Sequence, residues 1–338
     1  MKKIIISLLC FALFPSVLLC SCSGKSKDAR FGMGVYSYYS SADDANEDKN
    51  GSVKAVYTAA AVLINKNGKV IDIDLDCAEC TGAYTKDGKA LTAEKLLTKG
   101  ELGESYGMAK YGTDRNGDGK VLEWEDQVEA LEEMIKGKTL NEIKALVAGS
   151  YGTEDVVNAG CTIAIEDFIK AIETAFANAK VAPGNADETE LGIVSVQSSQ
   201  KDATADANGT CDITTYIAAA IRDDDDKVTA MQIDCAEASI KFDINGKAVT
   251  SVYDTIKTKN ELGADYGMAK YGTDRNGDGK VLEWYEQAES FANACIGKTA
   301  AEIAGLIGIE GYAPLDVQNA GCTIYISDMA KAAVKAAE

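Results

Sequence analysis

The sequence of 338 residues contains no histidine. That absence excludes Ser-His-Asp and Cys-His catalysis, histidine-ligated zinc and the CxxCH haem motif. A second CxxC, which a cysteine zinc site would need beside Cys77-Ala78-Glu79-Cys80, is also missing. Any chemistry must therefore use carboxylates, thiols, hydroxyls, Lys, Tyr or a bound cofactor. We expect an electron carrier or a binding protein more than a stand-alone enzyme.

Basic residues are scarce relative to acidic ones. The chain has 34 Lys and Arg against 53 Asp and Glu, a net charge of −19. Such an excess disfavours nucleic acid as a partner and favours cations and solubility.

The N-terminal apolar run, residues 4–19, is too short to span a bilayer comfortably. It follows Lys2 and Lys3 and ends in Leu19-Cys20-Ser21-Cys22, which resembles a bacterial lipobox. The pattern predicts a signal peptide over 1–21, acylation of Cys22 and a flexible tether over 22–30. The protein would then be extracytoplasmic and anchored by lipid to the bacterial membrane or envelope. The alternative is an ordinary secretory signal with incidental cysteines.

The rest of the chain is an internal duplication. The string YGMAKYGTDRNGDGKVLEW occurs at residues 106–124 and again at 266–284. We define repeat one as residues 31–180 and repeat two as residues 190–338, with residues 181–189 as the linker. Two units of this size predict two tandem domains rather than a solenoid.

Each repeat shows strand patterns first and helix patterns afterwards. In repeat one, the apolar residues that follow Trp124 recur with the spacing of one helix face. A Thr-x-x-Glu pattern at Thr139 predicts a capped helix start, and Asp167 opens a last helix. Predicted strands are 53–64, 70–76 with one wet face, and 161–165. This order predicts an α+β fold, in which each domain is an antiparallel sheet with helices packed on one side.

The repeated string contains an EF-hand-like calcium loop. Such a loop takes oxygen ligands from positions 1, 3, 5 and 7 and a bidentate acid from position 12, with Gly at position 6. The predicted ligands are Asp114, Asn116, Asp118, Lys120 (carbonyl) and Glu125 in repeat one, and Asp274, Asn276, Asp278 and Lys280 (carbonyl) in repeat two. Position 12 of the second loop is Tyr285, so Glu283 or another acid would have to substitute. The alternative is a metal-free turn rich in Asp, Asn and Gly. The entering segment is a poor helix, which favours a structural clip over a sensor.

Seven cysteines follow Cys22, and several arrangements stay open. Cys77 and Cys161 have counterparts in Cys235 and Cys322, which allows one disulfide in each domain. Cys211 and Cys295 occur in repeat two alone and are a further candidate pair. The CxxC sits at a predicted strand end rather than a helix start, which disfavours a redox role. Buried small thiols are the simplest interpretation of Cys295, which falls on the apolar helix face.

The C-terminal part of each repeat carries a family resemblance. Asp155-Val156-Val157-Asn158-Ala159-Gly160-Cys161-Thr162 precedes a helix, and a similar segment ends in Thr323. This arrangement resembles the FMN-binding domain of bacterial electron-transfer lipoproteins, with Asn-Ala-Gly-Cys where that family has Ser-Gly-Ala. Whole repeats also look like tandem-repeat lipoproteins of anaerobic gut bacteria. The FMN resemblance implies Thr162 and Thr323 as covalent FMN acceptors and Asp155 and Asp316 as the family acids. It further implies a flavin transferase and a membrane redox partner.

Two functions follow from these patterns. The first is a lipid-anchored carrier of electrons outside the cytoplasm, with FMN on its repeats and calcium-stabilised loops, because a flavin supplies its own redox chemistry. The second is a calcium-stabilised surface lipoprotein that binds a ligand or partner without redox activity. A hydrolase built on Asp72, Asp74 and Asp76 is weakly supported, since these acids alternate along a strand and are typical of a solvated face.

Overall fold

A computed structural model describes residues 28–117, 119–183, 186, 188–277 and 279–338 of the chain. The predicted signal peptide, Cys22 and most of the tether lie outside the described residues, as do Asp118 and Asp278 of the two predicted calcium loops.

Repeat one begins with three long strands and continues with short and long helices. Its elements are β1 (Arg30–Asp43), β2 (Gly51–Ile64), β3 (Val70–Tyr84), α1 (Lys99–Leu102), a 3₁₀ turn (Gly103–Tyr106), α2 (Met108–Tyr111), α3 (Trp124–Ile135), α4 (Leu140–Lys144), β4 (Val147–Ala148), β5 (Tyr151–Gly152), α5 (Glu154–Asn158), α6 (Glu166–Ala177) and β6 (Lys180–Val181).

Repeat two has its long strands and helices in the same order, but its described residues form no counterparts of the short strands β4, β5 and β6. Its elements are β7 (Glu190–Lys201), β8 (Gly209–Arg222), β9 (Val228–Phe242), α7 (Lys259–Leu262), a 3₁₀ turn (Gly263–Tyr266), α8 (Met268–Tyr271), α9 (Trp284–Cys295), α10 (Ala300–Ala304), a 3₁₀ turn (Ile309–Gly311), α11 (Leu315–Asn319) and α12 (Ser327–Lys335).

The long strands form two antiparallel sheets, one from each repeat. Sheet one has the order β3-β2-β1-β6 and sheet two the order β7-β8-β9. The strands of the two sheets pair in equivalent registers. Thr58 lies opposite Cys77 in sheet one, and Tyr216 lies opposite Cys235 in sheet two. Positions in the two repeats can therefore be compared residue by residue.

The two sheets pack face to face and share one apolar core. Phe31, Val35 and Tyr57 of sheet one belong to the same buried cluster as Ile213 and Ile240 of sheet two. At one end of this core the rings of Tyr84 and Phe242 stack with centroids 4.4 Å apart. β2 is consequently buried on both faces, which is why its sequence is an almost continuous apolar run.

The outer face of each sheet is covered by helices of its own repeat. In repeat one, α3 buries Trp124, Val128, Leu131 and Ile135 against the sheet. α6 approaches β1 so closely that a Cβ at Gly34 would lie 2.1 Å from the Ala171 carbonyl oxygen. The layers are therefore helices, sheet, sheet and helices.

The α+β class and the antiparallel sheets with helices are confirmed. The helix starts at Trp124 and Thr139 are confirmed as well, and Thr139 forms a capping box with Glu142. The division into two separate domains stays a prediction, since the central core is common to both repeats.

Two predicted features are wrong. Residues 161–165 form no strand; within them only Ala164 makes an isolated bridge, to Tyr151. Asp72, Asp74 and Asp76 do not form a solvated face, because they are half-buried and accept the backbone N–H groups of Thr189, Leu191 and Gly100 respectively. These three carboxylates hold the backbone of the linker, of β7 and of α1 in place.

Candidate functional site

The first predicted calcium loop has the turn geometry that its sequence implies. The Asp114 carboxylate accepts the N–H of Gly117 at 2.7 Å and that of Gly119 at 3.0 Å. Both glycines have positive φ, which L-residues with side chains rarely adopt. Glu125, the predicted position 12, lies in the first turn of α3. Arg115 at the loop tip stacks on Tyr151, with 4.3 Å to the ring centroid, and so docks the loop on the segment before α5.

The second loop repeats this turn, with Asp274 accepting from Gly277 and Gly279. Glu283 cannot readily replace the missing acid. Its carboxylate already accepts the N–H of Met268 at 2.9 Å and caps the first turn of α9. Tyr285 therefore leaves the second loop without its last carboxylate.

Across the described residues, no group of three or more Cys, Asp or Glu side chains is placed to hold a metal ion. Asn116, Lys120, Asn276 and Lys280 all lie in described parts of the loops, whereas the central ligands Asp118 and Asp278 do not. Calcium binding stays a prediction for both loops.

The two predicted FMN acceptors have equivalent environments. Thr162 lies between α5 and α6, and its N–H and hydroxyl both donate to Gln127 Oε1, at 2.8 and 2.9 Å. Thr323 makes the same pair of bonds to Gln287. In repeat one the amide of Gln127 also donates to the Leu122 carbonyl, so the glutamine fixes the threonine relative to the calcium-like loop.

The predicted family acids lie apart from the threonine site. Asp155 and Asp316 stand in the first turns of α5 and α11, where they face the positive end of the helix dipole. Asp155 does not line the cavity that Thr162 does. The structure thus brings Thr162 to a cavity but does not bring Asp155 with it.

That cavity has a volume of about 460 Å³ and lies in repeat one between the outer face of sheet one and the helices. This size is within the usual range of small-molecule sites. Its walls combine charged, polar and aromatic side chains. They include Tyr38, Lys54, Thr58, Cys77, Glu79, Lys99, Met108, Arg115, Trp124, Gln127, Thr162, Asp167 and Phe168.

One wall is a chain of three charges. Glu79 on β3 pairs with Lys54 on β2 and with Lys99 on α1, each at 2.8 Å. Burial acts to raise the pKa of Glu79, but the two ammonium groups outweigh it and hold that pKa below its usual range. Lys99 is mostly buried and also lies 5.7 Å from the centroid of the Trp124 ring.

The opposite wall carries a tyrosine–carboxylate pair beside two aromatic rings. Tyr38 donates its hydroxyl to Asp167 at 2.9 Å, and burial together with Asp167 raises the pKa of Tyr38. The rings of Trp124 and Phe168 lie 6.0 Å apart. The cavity lining therefore combines ionic, hydrogen-bonding and aromatic side chains.

The cysteines provide no redox pair. All seven described cysteines are free and buried, so neither candidate disulfide arrangement forms among them. Cys211 belongs to the central core and Cys295 to the helix-side cluster of repeat two, on opposite faces of sheet two. The CxxC lies inside β3 rather than at a strand end, and Cys77 and Cys80 also face opposite sides. Burial raises the pKa of Cys77 to about 12, so its thiol stays protonated at neutral pH.

Repeat two carries a larger side chain at the equivalent position. Tyr216 occupies the register position of Thr58 and packs into the helix-side cluster of repeat two. Burial raises the pKa of Tyr216, and Cys235, Lys259 and Asp328 lie near enough to influence it. These neighbours are the counterparts of Cys77, Lys99 and Asp167, so the tyrosine lies among the counterparts of residues that line the repeat-one cavity.

Sequence reasoning identified Thr162 but missed Lys99, Glu79 and Gln127 as parts of one site with it. A signal for them existed, because Lys259, Glu237 and Gln287 occupy the corresponding positions of repeat two. Lys259 pairs with Glu237 at 2.7 Å, as Lys99 pairs with Glu79.

Comparisons place no further constraint on the site. In the part of the chain that the structure describes, no helix has both the length and the apolar character to cross a membrane. No protein-family model, no curated protein and no solved structure matches this chain.

Proposed function

We propose that the protein is a ligand-binding module whose repeat-one cavity takes a small anionic molecule with a flat aromatic part. The observation that carries this proposal is the cavity itself, which repeat one forms beside the small Thr58, where repeat two carries Tyr216. The duplicated fold does not require a small residue at this position, since the second copy folds with a tyrosine there.

The charges of the walls favour an anion. Lys54, Lys99 and Arg115 line the cavity against only Glu79 and Asp167, although the whole chain has a net charge of −19. A local excess of positive charge in a low-dielectric cleft concentrates field lines and selects ligands of the opposite sign. Arg115 is exposed and the side chain of Lys54 is 38% exposed, so a ligand can reach both of these cations.

The apolar residues favour a flat ring. Trp124 and Phe168 form an aromatic floor, with Met108 beside them. Aromatic and thioether groups pack well against planar ligands and supply most of the apolar contact in such sites. Gln127, which is buried, and Thr162 add fixed hydrogen-bonding groups to the lining.

FMN attached to Thr162 is the second candidate, and one observation favours it. The Thr162 hydroxyl lines the same cavity as the aromatic floor and the basic wall. FMN belongs to the proposed ligand class, since it joins a flat ring system to a phosphate. Bound there, it would supply one- and two-electron transfer, and the module would act as an extracytoplasmic electron carrier. Thr162 would hold the phosphate, with Lys54, Lys99 or Arg115 to balance its charge.

The test of ligand binding uses the chain from residue 22 onward and follows quenching of tryptophan fluorescence. The probes are FMN, riboflavin and 1-anilinonaphthalene-8-sulfonate, which separate the ring from the anionic group. We expect both anionic probes to bind about tenfold more tightly than riboflavin, which corresponds to about 1.4 kcal/mol. Thr58→Tyr, which copies repeat two, should abolish binding, and Lys54→Met should remove the preference for anions. Saturable binding that survives Thr58→Tyr would exclude the cavity as the site.

The test of covalent FMN is separate. The chain is co-expressed with a flavin transferase and its intact mass and visible spectrum are recorded. We expect a gain of one FMN that Thr162→Ala removes and Thr323→Ala retains, because repeat two carries the larger Tyr216 where repeat one has Thr58. A colourless protein of unmodified mass would reject the flavin carrier and leave the anion-binding module to be judged by its own titration.

A further inference from the structure

Each repeat extends an arm towards the first strand of the other repeat. We define the first arm as residues 91–98 and the second arm as residues 251–258, each placed after the third long strand of its repeat. The second arm pairs with β1 through its backbone. Tyr39 N–H donates to Asp254 O at 3.1 Å, Tyr253 N–H to Tyr39 O at 2.7 Å and Ile256 N–H to Ser37 O at 2.9 Å.

The first arm does not pair with β7 in this way. Residues 91–98 and β7 are all described, and no backbone hydrogen bond joins them. The side chain of Gln197 stands between them instead, accepting from Ala93 N–H at 2.6 Å and donating to Leu91 O at 3.1 Å. Gln197 is the register equivalent of Tyr39, so its N–H and C=O point outward from the sheet edge.

The space between the first arm and β7 is a groove of about 770 Å³. Its walls are mainly apolar and come from the arm, from β7, from α12 and from the end of α10 with the residues after it. The apolar lining is Leu96, Leu97, Val194, Val196, Ile307 and Val334. Lys335 closes one end, where it bonds Glu101 at 2.6 Å and the Ile193 carbonyl at 2.8 Å.

Side-chain size explains why the groove is open in repeat two. Val194 and Val196 lie at the positions of Tyr36 and Tyr38, which project from β1 into the helix-side cluster of repeat one. The two valines leave apolar room beside a strand edge whose backbone groups lack partners from the first arm. An edge of this kind is a template for another strand.

We infer that the β7 edge binds a short extended peptide segment of a partner, which displaces the Gln197 bonds to the first arm and adds as a strand along β7. The second arm shows the occupant that such an edge accepts, because after a turn at Tyr253 its backbone bonds to β1 around a bridge between Thr255 and Tyr38. In this mode backbone hydrogen bonds to Ser195 and Gln197 give affinity, and alternate apolar side chains enter the groove. The peptide would span the four residues of β7 that line the groove.

The test uses a fluorescein-labelled peptide that copies residues 251–258, Ser-Val-Tyr-Asp-Thr-Ile-Lys-Thr, because this segment already fits the equivalent edge. Anisotropy should rise to saturation with the chain from residue 22 onward. Val194→Tyr, which restores the ring found at Tyr36, should weaken binding about tenfold or more. A peptide with proline in place of Ile256 should fail to bind, since it lacks the donor that Ser37 accepts in the second arm. Equal binding of the Val194→Tyr variant would overturn the proposal.

Amide hydrogen exchange provides a readout that does not depend on a variant's folding. In the free protein the N–H of Gln197 should exchange faster than that of Tyr39, and the peptide should slow the exchange of Gln197. A Gln197 N–H that is as protected as that of Tyr39 before peptide is added would mean that the first arm itself closes on β7. That result would overturn the proposal.

Discussion

Asp234 is an acid buried with only backbone and hydroxyl partners, and its ionisation should contribute to how stability varies with pH. It is 7% exposed, and its Oδ1 accepts the N–H of Cys235 at 2.7 Å and that of Asn260 at 3.1 Å. Burial raises its pKa to about 7, against the lowering effect of the Thr258 hydroxyl and these amides. Asn in its place keeps an oxygen acceptor for both amides and removes the charge.

The direction follows from proton binding in the two states. Below about pH 4 the carboxyl is protonated in both the folded and the unfolded chain. Between about pH 4 and pH 7 the unfolded chain loses the proton while the folded chain retains it. The folded state therefore binds more protons, and the free energy of unfolding falls as pH rises through this window. Above pH 7 the full cost of burying the charge is present.

The size of the effect follows from the displacement of the pKa. A change from 3.8 to about 7 corresponds to roughly 4 kcal/mol as an upper bound. Relative to the wild type, Asp234→Asn should gain stability by up to this amount between pH 4.5 and pH 8.5. Urea unfolding followed by tryptophan fluorescence at several pH values measures the difference. The exposed Asp206→Asn variant is the matched control for the loss of one carboxylate. A difference between wild type and Asp234→Asn that does not change with pH would refute the reasoning.

Three further variants test the packing, the calcium loop and the closed cavity. Gly34→Ala should destabilise the fold by about 1–3 kcal/mol in urea unfolding, because its Cβ would lie 2.1 Å from the Ala171 carbonyl oxygen. Calcium at about 100 times its Kd should raise the free energy of unfolding by about 2.7 kcal/mol. A chelator should reverse this gain, and Asp114→Ala should remove it. An unchanged Tm on adding calcium would reject the calcium site. Tyr216→Thr should open a second cavity and raise the stoichiometry of 1-anilinonaphthalene-8-sulfonate from one to two, whereas a stoichiometry of one would show that other residues close it.

The helix faces and the fold class could be predicted because they depend on local periodicity. The apolar spacing after Trp124 is a property of a few consecutive turns, and α3 buries those residues. The core that the two sheets share could not be predicted from periodicity. Periodicity shows which face of a strand or helix is apolar, but it does not show which element packs on that face. One signal was present in β2, where residues 53–64 are apolar almost without interruption. Such a run is typical of a strand buried on both faces.

The site was only partly predictable because its residues are distant in sequence. Thr162 carried a motif, but Lys99 and Glu79 become neighbours only when α1 folds against β3. The prediction that the acids of β3 form a solvated face was wrong for a related reason. Alternation with apolar residues is the pattern of a solvated face, yet Asp74 accepts the Leu191 N–H at 2.6 Å. The alternation of acidic and apolar residues along β3 does not show that backbone N–H groups of another segment will bond to the acids.

The two proposed sites arise from opposite substitutions on one duplicated frame. In repeat one, Thr58 is small where repeat two has Tyr216, and a cavity opens on the helix side of sheet one. In repeat two, Val196 is small where repeat one has Tyr38, and a groove opens at the edge of β7. Each copy therefore supplies the closed version of the opening that the other has. Because a closed version already exists within a stable fold, filling either opening with the side chain of the other copy should remove one function and leave the second intact.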